Sequence, residues 1–140
     1  MFERILLAVD GSEHSYHAAR AAADLARAMK SERLRIVVAY DRIPPYLGEP
    51  NLQHAIDARL MEAQEVLQKA VDAIGEVPAE IHTELIEGDP AEAIIDVAAT
   101  RDSNIIVMGS RGLGRLTGLV LGSTSQKVVS HAPCPVLIVR

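Results

Sequence analysis

The sequence predicts an α/β domain built on an open, five-stranded parallel sheet with helices on both faces, a Rossmann-like arrangement. Three observations lead there. Five short apolar segments alternate with helix-period segments along the chain, as expected when strands are buried on both faces and joined by right-handed crossovers. One of the five, Glu80–Ile86, alternates apolar and polar residues and so belongs at a sheet edge. The 140 residues, 49% hydrophobic and 24% charged, suit one domain over residues 1–140 with a sizeable core.

The elements follow in order. Arg4–Val9 ("RILLAV") is the first strand, broken by Asp10-Gly11-Ser12. Ser12 is placed to cap a helix whose apolar positions, Ala18, Ala19, Ala22, Leu25, Ala26 and Met29, recur with a 3.6 period. Leu34–Tyr40 is the second strand. The stretch Asp41–Asn51 ("DRIPPYLGEPN") holds three prolines and reads as a long loop. Leu52, Ile56, Leu60, Ala63, Leu67, Ala70, Val71 and Ile74 then give a second helix, stopped at Gly75. In the third strand Ile81, Thr83 and Leu85 share one side, and Glu80, His82 and Glu84 the other. Asp89-Pro90 opens a helix through Thr100 by capping it and filling its first position. Asn104–Met108 is the fourth strand. Ser123 and Gln126 have capping-box spacing, which predicts a last helix from about Thr124 to His131, ended by Pro133 and Pro135. Val136–Val139 ("VLIV") closes the sheet.

An edge position for the third strand means that the chain winds outward 1-2-3 and returns to set strand four beside strand one. Ligands of such sheets bind beyond the carboxyl ends of the strands, where the winding reverses. That places Asp10-Gly11-Ser12 next to Gly109-Ser110-Arg111-Gly112. Five of the chain's nine glycines lie between Met108 and Gln126. Gly109 and Gly112 are expected to bend this loop and admit a ligand against bare backbone. Gly122 and Ser123, at the mouth of the last helix, would offer N–H groups and hydroxyls to an anion. Arg111, Arg115 and Lys127 could supply positive charge. The alternative is a glycine-rich connection that binds nothing, with Ser123 a helix cap and Asp10 a turn residue.

Several function classes are excluded or disfavoured. No Gly-Lys pair exists for a Walker-type loop, and Gly112-Leu-Gly114-Arg-Leu-Thr-Gly118 is one residue too long for the dinucleotide fingerprint. A net charge of −5 and only one Phe, three Tyr and no Trp argue against a nucleic-acid partner. No apolar run is long enough for a membrane span, and the amino-terminal segment is not a signal peptide. With the single Cys134, this points to a cytoplasmic protein without disulfides. Cys134 is expected to be a buried, inert thiol. His14 and His17 share a helix face but lack further partners for a metal, so no metal site is expected. His54, His82 and His131 are expected at the surface or at helix ends. Asp57, Arg59, Glu62, Glu65, Lys69 and Asp72 form the solvated face of the second helix. Tyr46 either covers a bound base or packs partly on the surface.

The spacing Gly109-x2-Gly112-x9-Gly122-Ser123 resembles the ATP-binding signature of the universal stress protein family. "ILLAVDGSEHS" is similar to that family's first strand and acidic turn, and "IIVMGSRGLGRLTGLVLGSTSQKVVSHAPCPVLIVR" to its carboxyl-terminal third, so the resemblance covers the whole chain. It implies strand order 3-2-1-4-5 and an adenine nucleotide between the loops after strands one and four. Asp10 would meet the base or ribose, and Tyr40 would contribute main-chain contacts to the base beside Ala8 and Val9. Gly109, Gly112, Gly122, Ser123 and Ser125 would hold ribose and phosphates; Met108, Arg111 and Thr124 complete the expected nucleotide-binding set. ATP is the implied ligand, with Mg2+ able to accompany the phosphates. The family also implies a stress-response role, a protein partner of unknown identity and a homodimer through Val136–Val139, an apolar strand whose edge needs cover. Two other readings stay open: a slow ATPase, although no catalytic residue is identified, and a dimeric interaction protein whose site is empty or takes a cyclic nucleotide.

Overall fold

The computed structural model describes residues 1–110 and 121–140. The chain runs β1 (Arg4–Ala8), α1 (Glu13–Met29), β2 (Arg33–Tyr40), a 3-10 turn (Pro45–Leu47), α2 (Asn51–Ile74), β3 (Glu80–Glu87), α3 (Pro90–Thr100), β4 (Ile105–Gly109), α4 (Ser123–His131) and β5 (Val136–Val139). The sheet order is β3-β2-β1-β4-β5, with each neighbouring pair parallel. The winding therefore reverses between β1 and β4, where Leu7 lies between Ile36 of β2 and Val107 of β4.

The continuous apolar strands are explained by what covers them. Ile5, Leu7, Leu34, Ile36 and Val107 pack under α1 and α2, whereas Leu6, Ala8, Val37, Ile106 and Met108 pack with α3 and α4. The face of α1 toward the sheet is alanine: Ala18, Ala19, Ala22, Ala23 and Ala26 are buried. Such short side chains let a helix lie close to a sheet, and removing larger ones from the strands beneath would leave unfilled volume.

Local signals account for the helix ends. Ser12 accepts a hydrogen bond from Ser15 N at 3.2 Å, and Asp89 caps α3 by accepting from Glu92 N at 3.0 Å. Gly75 ends α2 with φ +65. The fourth helix departs from expectation. It begins at Ser123 with Gly122 as its N-cap and no side-chain cap. Ser123 is thus the first helical residue, a position from which its hydroxyl does not cap the helix, and the capping-box spacing is coincidental.

Three further expectations need revision. In β3, Thr83 is exposed while His82 and Glu84 are half-buried, because arginines drawn in on that face engage Glu84. His82 is therefore not a simple surface residue. Cys134 is half-buried, against Ala132, Val136 and Ile138 at the margin of the α3–α4 layer; burial still pushes its thiol pKa up. Tyr46 is 85% exposed, on the 3-10 turn that interrupts the expected loop, and so packs on little of the surface.

Candidate functional site

At the carboxyl ends of β1 and β4 the Asp10–Ser12 turn and the first turn of α1 lie beside Gly109–Ser110 and are tied to it. His14, in the first turn of α1, shares a hydrogen bond through Nδ1 with Ser110 Oγ at 2.8 Å. Ser110 is buried; its N–H donates to Val139 O at 2.8 Å, and its carbonyl accepts from Gly122 N at 2.7 Å. Ser125 Oγ reaches Gly109 O at 2.9 Å and Ser110 O at 3.2 Å. The start of α4 is therefore fixed to the end of β4 by main-chain and hydroxyl contacts. Sequence reasoning missed His14 and Ser110 as this link. A histidine one residue into a helix after a strand end is the signal that could have suggested it.

Asp10 is exposed, and its Oδ1 accepts from Ser12 N at 2.9 Å. The carboxylate thus shapes the turn, as Asp commonly does before Gly. Gly11 follows with φ +88, a backbone conformation that favours glycine, and a Cβ there would also crowd Val66 Cγ2 at 3.1 Å. Tyr16 is a further residue that the sequence did not single out. Burial first, then the neighbouring Asp10 carboxylate, push its phenol pKa up.

Gly109 has a packing role that the sequence did not indicate. A Cβ at this position would lie 2.8 Å from the His14 carbonyl carbon and 2.9 Å from Ser15 N. Its missing side chain admits the backbone of α1. Gly109 thereby sets how closely α1 approaches the end of β4.

The remaining expected residues divide by location. Ala8 and Val9 are buried at the end of β1, and Val9 N donates to Val37 O at 3.1 Å. Met108 is buried in the α3–α4 layer. Tyr40 ends β2 half-buried, its carbonyl accepting from Gly88 N at 2.9 Å. Gly122 and Thr124 are half-buried and Ser123 is exposed at the mouth of α4. Arg111, Gly112 and Arg115 lie outside the described residues. Lys127 turns from the expected phosphates to α3, with Nζ 3.4 Å from Asp89 Oδ2 and 3.5 Å from Glu92 Oε1. The acidic first turn of α3 holds it there.

With Gly122 as an uncapped N-cap, the first N–H groups of α4, those of Ser123, Thr124 and Ser125, have no acceptor within the helix. They form the electropositive end of a helix dipole beside the acidic turn. A neighbouring cleft of about 350 Å³ lies beyond β2 and β3, lined by Asp41, Arg42, Glu87, Gly88, Asp89 and Glu92 among others. Its carboxylates would repel a phosphate. Among the described residues, no group of three or more His, Cys, Asp or Glu side chains is arranged to hold a metal ion, and no helix is long and apolar enough to cross a membrane. His14 and His17 stack with centroids 6.3 Å apart, and His17 Nδ1 instead meets Arg140 O at 2.9 Å.

Comparison with known proteins agrees with this topology. The model of the universal stress protein family matches residues 1–140. A universal stress protein of Thermus aquaticus is 49% identical over 140 residues, covering 100% of both chains. The structure of universal stress protein UspA from Lactobacillus plantarum superposes with a TM-score of 0.86 at 28% identity, covering 99% of this chain and 98% of that one. A universal stress protein from Archaeoglobus fulgidus, solved in complex with dAMP, gives a TM-score of 0.71 at 25% identity over 100% of both chains.

Proposed function

The chain belongs to the universal stress protein family, and we propose that it is a stress-response regulator that binds ATP or a related adenine nucleotide in the crevice between the turns after β1 and β4. The observation that carries this reading is the hydrogen-bonded junction of Asp10–Ser15, Gly109–Ser110 and the uncapped start of α4. It supplies the two kinds of group that a nucleotide needs. Asp10, already an acceptor for one N–H, offers carboxylate oxygens to neutral donors of ribose or base. The N–H groups and hydroxyls of Ser123 and Thr124 suit phosphate oxygens at a helix amino terminus. Their separation matters, since a carboxylate beside phosphates would repel them. Arg111 and Gly112 complete the proposed set, as do Tyr40 with Ala8, Val9 and Met108 for the base. A dAMP complex in a family member supports the ligand class. Mg2+ would enter with the phosphates, keeping most of its water ligands.

Regulation, rather than turnover, is the reading that membership of the universal stress protein family supports. We further propose a homodimer through β5. This strand ends the sheet, and Leu137 on it is 39% exposed, an apolar edge that a second copy would cover. Ile138→Lys should yield monomer or aggregate by light scattering; an unchanged dimer refutes that assembly.

Thermal unfolding with added nucleotide tests the binding reading. ATP at about 100 times its dissociation constant should add about 2.7 kcal/mol of stability, and Gly122→Val should abolish the gain. AMP, dAMP and cAMP run in parallel identify the preferred phosphate arrangement. No stabilisation by any adenine nucleotide would favour an interaction protein with an empty site.

A further inference from the structure

At the other end of the sheet, on the α3 face, four arginines gather from separate parts of the chain. The register sets Arg4 of β1 beside Arg33 of β2, and Arg33 beside Glu80 of β3; one step along, Arg35 lies beside His82. Alternation puts Arg4, Arg33 and Arg35 on the same face as Leu6, Ala8 and Val37, which belong to the α3–α4 layer. Arg101, at the end of α3, completes the group. The carboxylates nearby are Glu80 and Glu84 on the strand face, with Asp102 and Glu3, the chain neighbour of Arg4, at its rim.

These carboxylates are unevenly used. Glu84 Oε1 accepts from both Arg35 Nη1 at 3.1 Å and Arg101 Nη2 at 2.9 Å, so one oxygen serves two guanidiniums. Glu80, although the register partner of Arg33, has its Oε1 3.1 Å from His82 Nε2. Arg4 Nε donates to the main-chain oxygen of Asp102 at 2.6 Å. Arg33 is half-buried, its Nε and that of Arg35 are buried, and neither donates to an acceptor among the described residues. Buried donors normally find partners, and neighbouring strands hold like charges within about 5 Å. A guanidinium row that is buried at Arg35, half-buried at Arg4 and Arg33 and open at Arg101, with two buried Nε atoms lacking an acceptor among the described residues, is complementary to a multiply charged oxyanion, which guanidinium forks bind bidentately.

We infer that Arg4, Arg33 and Arg35, rimmed by Arg101, form a second anion site at the amino ends of the strands, for a phosphate-class oxyanion. The site is independent of the nucleotide crevice, being at the opposite end of the sheet. It gives the molecule a place to sense free phosphate or pyrophosphate, or a phosphate group carried on a larger metabolite.

The test is an NMR titration of the whole protein with inorganic pyrophosphate, reading the arginine Nε–H signals. It is run in Gly122→Val as well as the unaltered chain, so that the outcome does not depend on the nucleotide reading. The expected result is a saturable shift of the Arg33 and Arg35 signals in both proteins, with Arg4→Gln and Arg33→Gln weakening binding roughly tenfold. Glu80→Gln, which removes a competing negative charge, should tighten it roughly twofold. Inorganic phosphate in a parallel titration distinguishes a monophosphate from a diphosphate preference. Should Arg33→Gln fail to fold, Arg4→Gln and Glu80→Gln carry the comparison. Shifts that grow without saturation, that sodium chloride at equal ionic strength reproduces, or that vanish in Gly122→Val would overturn the site.

Discussion

At the carboxyl ends of the strands the molecule presents mostly main chain and small side chains: Gly11, Ser12, Gly109, Ser110 and Gly122 meet there, held by backbone and hydroxyl hydrogen bonds. At the amino ends it presents long charged side chains, with Arg35 and Arg101 converging on Glu84. Geometry at the first end is set by how closely backbones approach. At the second it is set by charge balance in a partly desolvated environment. The two ends should therefore fail in different ways.

The largest effect is expected at the charged end. Glu84→Gln leaves Arg35, whose side chain is only 9% exposed, without its carboxylate and should cost about 3 kcal/mol in urea unfolding. Arg35→Met combined with Glu84→Gln should recover part of that loss, because no buried charge is then left unpaired. A double variant as unstable as the simple sum would mean that the two residues contribute separately. At the glycine end, Gly109→Ala should cost about 1–3 kcal/mol, since its Cβ would press on the backbone at His14 and Ser15. A neutral Gly109→Ala would show that α1 can retreat and that the close approach is dispensable.

How far the sequence revealed these ends follows from the same contrast. The strand order was readable because each apolar run is local and the alternation of β3 marks an edge. The acidic turn and the glycine segment were readable because each is a contiguous motif. At Gly109 the group that excludes a side chain belongs to α1, distant in the chain, so this packing was not readable. Ser123 matched a capping spacing, yet one residue of helix register decides whether a hydroxyl caps or not. The arginine row was invisible. Arg4, Arg33, Arg35 and Arg101 share no motif, and only strand register brings them together.

Smaller effects refine the comparison. Asp89, the cap of α3, has a pKa lowered by the hydrogen bond from Glu92 N and, secondarily, by Lys127. A carboxyl depressed in the folded state contributes stability above its unfolded pKa and loses it as pH falls through the folded value. Asp89→Ala should cost about 1 kcal/mol near neutrality, with the difference from the unaltered chain shrinking in acid. A gap constant down to the lowest pH would rule out the ionised cap. Smallest of all, Asp10→Asn should move the Tyr16 titration, followed by ultraviolet absorbance, down toward the ordinary tyrosine range while burial keeps it raised. An unmoved titration would separate Tyr16 from the acidic turn.

The most direct measurement is amide NMR mapping of ATP on the labelled protein. The expected result is a saturable perturbation centred on Asp10, Gly11, Gly109, Ser110 and Gly122–Ser125. Silence at these amides, or a response centred elsewhere on the sheet, would contradict the assignment of the β1–β4 crevice to an adenine nucleotide.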